Sequence, residues 1–163
     1  MPKLSAGLVL FRRSPQIEVF LVHPGGPFWA KKDAGAWSIP KGEYQEGDDA
    51  LQAARREFTE ETSFVPPEGE HLLLGKVKYG NKLLKAWAVE GTADALHVKS
   101  NFFELEWPPK SGRMQQFPEV DKAGWFTLAQ AQKKLVGGQV PLLAALAAEL
   151  GIRDTHEEQM SLF

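Results

Sequence analysis

The segment that most limits what this chain can become is DALQAARREFTEET, Asp49 to Thr62, which runs without glycine or proline. Such a run predicts a helix over roughly Asp49–Thr62, with Asp48 or Asp49 able to cap its N-terminus and complement its dipole. At about 100° per residue, Glu57, Glu60 and Glu61 fall within one sector of that helix. Like charges at i, i+3 and i+4 repel, so the cluster calls for a compensating partner. Ala50, Ala53 and Ala54 precede it on the same face and are expected to leave room for a ligand. Leu51 and Phe58, bordered by Thr62, are expected to face the core.

Two compensations are open at this level. The carboxylates can form a solvated face balanced by Arg55, Arg56 and nearby lysines. Alternatively they can ligate a hard divalent cation such as Mg²⁺ or Mn²⁺, which takes oxygen donors. The preceding PKGEYQEGD segment brings Lys41 and the backbone around Gly42 and Gly47 to the helix entrance, a natural place for phosphate. A cation site beside a phosphate site suits metal-assisted cleavage of a phosphoanhydride.

The rest of the chain reads as one domain, residues 1–163, of α+β class. Two strands, SAGLVLFR and IEVFLVHP, flank a turn at RSPQ, and a Gly-rich loop, GGPFWAKKDAGAW, follows. After the acidic helix, HLLLGKVKYG and KLLKAWAVEG form a hairpin across Gly-Asn. HVKSNFFELEW is a further strand, PPKSGRMQQFPEVD a loop carrying Lys110 and Arg113, and KAGWF a short last strand. TLAQAQKKL, capped by Thr127, and PLLAALAAELG, with Pro141 near its start and Gly151 past its end, read as helices. This mixture lacks regular βαβ alternation and favours sheet packed between helices. The tail 155–163 is open between a flexible end and one that docks Leu162 and Phe163.

Composition removes several classes. Without cysteine there are no disulfides, thiolate metal sites or cysteine nucleophile. A net charge of −2 suggests no broad nucleic-acid surface. The apolar run Ala6–Phe11 is too short to span a bilayer or serve as a secretory signal, so a cytoplasmic protein without a membrane partner is expected. No P-loop, G-x-S-x-G elbow or dinucleotide glycine fingerprint appears. The histidines show no ligand spacing.

Gly42, Asp48, Arg56-Glu57, Phe58, Glu60-Glu61, Ser63 and Phe64, at the spacing in which they stand, resemble the Nudix box. Asp48 replaces the usual Glu and Ser63 the usual Gly. Gly at the latter position relieves a left-handed turn, which is costlier for Ser. The Pro-Lys-Gly entrance resembles the branch of dinucleoside polyphosphate and diphosphoinositol polyphosphate hydrolases, and the likeness extends over roughly Lys3 to Lys134. It implies the Nudix α/β/α sandwich and divalent-metal-dependent hydrolysis of a nucleoside diphosphate linked to another group. The best expectation is a dinucleoside polyphosphate or a nucleoside triphosphate.

Carried over, Glu57, Glu61 and then Glu60 are metal ligands for Mg²⁺ or Mn²⁺. Arg56 orients a glutamate. Glu60 or Glu119 is the general base, ahead of Glu104 and Glu106. Lys41, Gly42, Lys110 and Arg113 bind substrate, ahead of Arg12 and Lys3. Phe28, Trp29, Trp37, Tyr79 and Phe103 are candidates for stacking on a base, although large aromatics more often serve cores. The alternative is a Nudix-fold module that senses a nucleotide without cleaving it, against which the retained glutamates argue. Oligomeric state is not readable.

Overall fold

The computed structural model describes residues 2–13 and 15–152. The tail expectations for 155–163, and Ser14 of the first turn, lie outside the described residues. Strands β1 (Lys3–Arg13), β2 (Ile17–Pro24) and the short β3 (Lys41–Glu43) lead into helix α1 (Ala50–Thr62). The hairpin β4 (Leu72–Tyr79) and β5 (Lys82–Glu90) follows, then β6 (Phe102–Glu106), β7 (Met114–Pro118), β8 (Val120–Thr127), α2 (Leu128–Lys134) and α3 (Pro141–Glu149).

The main sheet runs β4-β5-β1-β2-β8, with β3 added on β1. Strands β1 and β5 are parallel and pair from Lys3↔Lys82 to Phe11↔Glu90. The other pairs are antiparallel. Period-two alternation sends side chains of β1 to opposite faces. Ala6, Leu8 and Leu10 pack with Phe20, Ala53, Ala54 and Phe58 under α1. Val9 and Phe11 pack on the other face with Leu128, Ala131, Leu142, Leu143 and Leu146 of α2 and α3. Helices thus cover both faces of a mixed sheet, as the sequence predicts.

Local signals explain most boundaries. Asp49 caps α1, accepting from the backbone N–H groups of Leu51 and Gln52. Thr127 and Gln130 form a reciprocal capping box at α2. Ser63 ends α1 in the left-handed region at φ 70°, and its hydroxyl donates to the Lys99 carbonyl. The turn therefore forms without glycine, and a side-chain bond is present where the backbone is strained.

Three expectations need correction. Residues 114–118 are not loop but strand β7, paired with β6 from Phe102↔Pro118 to Glu106↔Met114. The strand expected over 97–107 is shorter, because Ala95–His97 forms a 3-10 turn capped by Asp94. Ala53 and Ala54 do not leave ligand room; both are buried against the sheet, where small side chains let α1 approach β1. No helix among the described residues is long and apolar enough to cross a membrane.

Phe58 is the large residue that ties α1 down, fully buried and 6.2 Å from the ring of Phe20. Phe58→Ala should destabilise the fold by about 3–5 kcal/mol in urea unfolding, through lost transfer energy plus a cavity.

Candidate active site

The site forms where the start of β1, β3, the start of β5 and the segments before β6 and β8 meet the C-terminal half of α1. A cavity of about 320 Å³ opens there, lined by residues that include Lys41, Gly42, Glu57, Glu60, Glu61 and Glu119. Ser5, Glu43, Lys82 and Asn101 complete it. A second cavity of about 360 Å³ lies at the opposite end of the sheet, around Arg13, Glu68 and Glu90. It takes none of the residues singled out from the sequence.

Two main-chain contacts set the glutamates. The Lys41 N–H donates to Glu61 Oε1 at 3.1 Å. Gly42 packs directly on Glu57; a Cβ at that position would lie 2.1 Å from the Glu57 carboxyl. Glycine is required there by close approach, not by its dihedrals. The Lys41 ammonium sits 3.8 Å from Glu61 Oε2, and Arg56 lies 3.5 Å from Glu57 Oε1. Arg55 turns away instead, donating to the carbonyls of Pro66 and Pro67. Only Arg56 of the two arginines therefore serves the acidic cluster. Asp48 lies in the loop before α1 and accepts from the Gln45 N–H.

The charges are poorly compensated. Burial, with repulsion from Glu60 and Glu61, pushes the Glu57 carboxyl from an ordinary 4.5 up to about 7, against the pull of Arg56. Burial also raises the Glu61 carboxyl, while Lys41 opposes that shift through its charge and its N–H. Burial works against the charge on Lys41, but Glu61 and the other nearby carboxylates outweigh it and raise its pKa. Lys82 is lowered by burial and by repulsion from Lys41. The hydroxyls of Ser5 and Tyr79 are buried beside this cluster, near one another and Gln139, without reaching hydrogen-bond geometry.

Glu119, 58 residues beyond Glu61 in the chain, is brought into the cavity by the base of the β6–β7 hairpin, where its N–H donates to the Asn101 carbonyl at 2.9 Å. Glu104 and Glu106 are exposed on that hairpin and do not line the cavity. Lys110 and Arg113 are not brought in either. They sit in the turn joining β6 to β7, which carries them away from the hairpin base. Arg12 instead stacks over Trp125, and Lys3 pairs with Glu43 at the surface.

Of the aromatic candidates, Trp37 is a core residue. Phe103 packs on Gly26 and Phe117, and Phe28 meets Trp107 edge-on at 5.2 Å. Trp29 is partly exposed beside Lys32. Sequence reasoning missed Lys82, Ser5 and Asn101. Lys82 enters because β5 runs parallel to β1, a long-range pairing that no local pattern announces.

A family profile described as the NUDIX domain matches residues 1–146. The chain belongs to the NUDIX family. An 8-oxo-(d)GTP phosphatase of Mycolicibacterium smegmatis is 28% identical over 131 residues, which are 72% of this chain and 38% of that protein. The chain thus spans well under half of that relative's length. Among solved structures, a Caenorhabditis elegans Ap4A hydrolase has a TM-score of 0.60 at 22% identity, covering 91% of this chain and 98% of that one. The NUDIX domain of Shewanella oneidensis NrtR, complexed with ADP ribose, has 0.61 at 21% identity, covering 92% and 89%. A MutT protein from Methanosarcina mazei Go1 has 0.62 at 15% identity, covering 91% and 94%. These likenesses establish the NUDIX α/β/α fold.

The raised Glu57 pKa has a consequence for stability. Ionising a group whose folded-state pKa lies above its ordinary value costs folding free energy as pH rises from about 4.5 to about 7. Metal-free Glu57→Gln should therefore melt higher than the unaltered protein at pH 8. The two should nearly coincide at pH 4, in thermal denaturation with a chelator present.

Proposed function

We propose that the chain is a divalent-metal-dependent pyrophosphohydrolase acting on a nucleoside diphosphate linked to a further group, with a dinucleoside polyphosphate as the leading substrate. The observation that carries this reading is the meeting of Glu57, Glu60, Glu61 and Glu119 with Lys41 and Lys82 in one cavity.

The residues fit a hard cation by chemistry. All four carboxylates are oxygen donors, and burial with repulsion from Glu60 and Glu61 raises the Glu57 pKa despite Arg56, a load that a cation would relieve. Among the described residues, no three acidic or histidine side chains already surround one point, so ligation requires side-chain rotation. Glu57 and Glu61, then Glu60, would hold Mg²⁺ or Mn²⁺. A bound ion supplies charge neutralisation at the diphosphate and a more acidic water.

The chain's own groups do the rest. Arg56 orients Glu57, and the Lys41 N–H orients Glu61. The ammonium groups of Lys41 and Lys82 face phosphate oxygens, taking the place expected of Lys110 and Arg113. Glu119 or Glu60 accepts the proton of the attacking water as the P–O anhydride bond breaks. The Pro-Lys-Gly entrance and the Ap4A hydrolase neighbour favour a dinucleoside polyphosphate.

A second reading, a purine nucleoside triphosphate, draws support from the 8-oxo-(d)GTP phosphatase relative. A nucleotide-sensing module without hydrolysis is disfavoured by the retention of all three box glutamates.

Ap4A, 8-oxo-dGTP, ADP-ribose and diphosphoinositol polyphosphate, each assayed with and without Mg²⁺, separate these readings by product analysis. Glu57→Gln and Glu61→Gln should each lower kcat at least about a hundredfold, a loss of a few kcal/mol of charge stabilisation. Activity that survives chelation, or survives in both variants, sinks the proposal.

The base is assigned by the pH profile of kcat. If Glu119 accepts the proton, Glu119→Gln should lose the acidic limb and about 10²–10³ in rate. Glu60→Gln should then retain that limb.

A further inference from the structure

Both contacts that set Glu57 and Glu61 come from the backbone of Lys41 and Gly42. β1 pairs with Lys41 and Gly42, and Leu8 N–H donates to the Pro40 carbonyl; a second tie, at Ile39, comes from about a hundred residues further along the chain. Gln139 is fully buried in a 3-10 turn, Gly137–Gln139, between α2 and α3, and does not line the cavity. Its Oε1 accepts from the Ile39 N–H at 3.0 Å, and its Nε2 donates to Ser38 Oγ at 3.0 Å. Ser38 Oγ donates in turn to the Ile39 carbonyl at 2.7 Å. Pro40 has no N–H. The next main-chain donor along the chain is therefore Lys41, and it goes to Glu61.

The turn that carries Gln139 is itself held closely. A Cβ on Gly138 would lie 2.3 Å from Tyr79 Cβ and 2.5 Å from the Lys78 carbonyl, so the turn sits directly on the end of β4. A buried amide costs free energy unless its hydrogen bonds are made. Here those bonds are spent on the segment that enters the site.

We propose that Gln139 is a positioning residue for the glutamate pair, fixing Ile39 so that, together with the β1 pairing, Lys41 N–H meets Glu61 and Gly42 meets Glu57. The proposal rests on the hydrolase reading for its kinetic arm only. Gln139→Met keeps the bulk and removes the acceptor; Gln139→Glu keeps an acceptor oxygen.

Metal-free ¹⁵N spectra are the first readout. In Gln139→Met the Ile39 and Lys41 amide protons should both move upfield, while β2 and β8 resonances hold their positions. Gln139→Glu should return Lys41 toward its original shift.

Kinetics with Mg²⁺ are the second. Gln139→Met should lower kcat about tenfold and weaken Mn²⁺ binding by a similar factor, as removal of a ligand-orienting bond does. KM should stay within about twofold, since substrate contacts are untouched. Gln139→Glu should recover most of kcat.

A folded Gln139→Met with an unmoved Lys41 amide overturns the proposal, whatever the activity. A moved Lys41 amide with unchanged kcat also overturns it. If the unaltered protein hydrolyses no substrate, the functional reading fails, and the Lys41 shift still decides the positioning claim. Should Gln139→Met not fold, Ser38→Ala removes only the hydroxyl that orients the amide. The same Lys41 shift, in smaller measure, is then expected, and its absence overturns the proposal.

Discussion

The site depends on how close α1 comes to the strands beneath it. Ala53 and Ala54 of the helix face Ala6 and Leu8 of β1, and Gly42 of β3 faces Glu57 with no side chain between them. Larger residues at these positions would lift the helix and open both backbone contacts to the glutamates. Small residues here do not make a ligand pocket, as their position on the helical wheel first implies. They bring the carboxylates within reach of the peptide groups that orient them.

That closeness has an electrostatic cost. Glu61 is buried beside Lys41, and burial alone would neutralise either group. Mutual attraction and one N–H bond oppose that effect for the pair, while Glu57 has only the half-exposed Arg56. Repulsion among the glutamates is thus offset unevenly, and Glu57 is the member left most frustrated. Uneven compensation of this kind, in a cleft, marks a candidate functional site.

Much of this was legible in the sequence because it is local. The acidic helix, its Asp49 cap, the β4–β5 hairpin, the Thr127 cap and the Pro141 helix start each rest on a few adjacent residues. The α/β/α arrangement followed from the element mixture and the resemblance carried by Gly42–Phe64. Illegible features were those set by distant pairing. The β6–β7 ribbon reads as loop because PPKSG interrupts it and MQQFP lacks clean alternation. A loop reading leaves Lys110 and Arg113 within reach of the cavity, whereas hairpin closure takes them from it. Lys82 was overlooked for the complementary reason, since its place is set by the parallel register with Lys3.

Glu119 lies outside the box, and the structure gives a reason for its place in the cavity. The Glu119 N–H is tied to Asn101 at the hairpin base, and its carbonyl accepts from Gly25 at 3.0 Å. Gly25 can make that bond because it has no side chain; a Cβ there would lie 2.0 Å from the Pro118 carbonyl. Two segments far apart in the sequence are thus joined at Glu119, a carboxylate that lines the cavity from outside the helix. The geometry of this candidate base is therefore set by two backbone bonds, one to each segment.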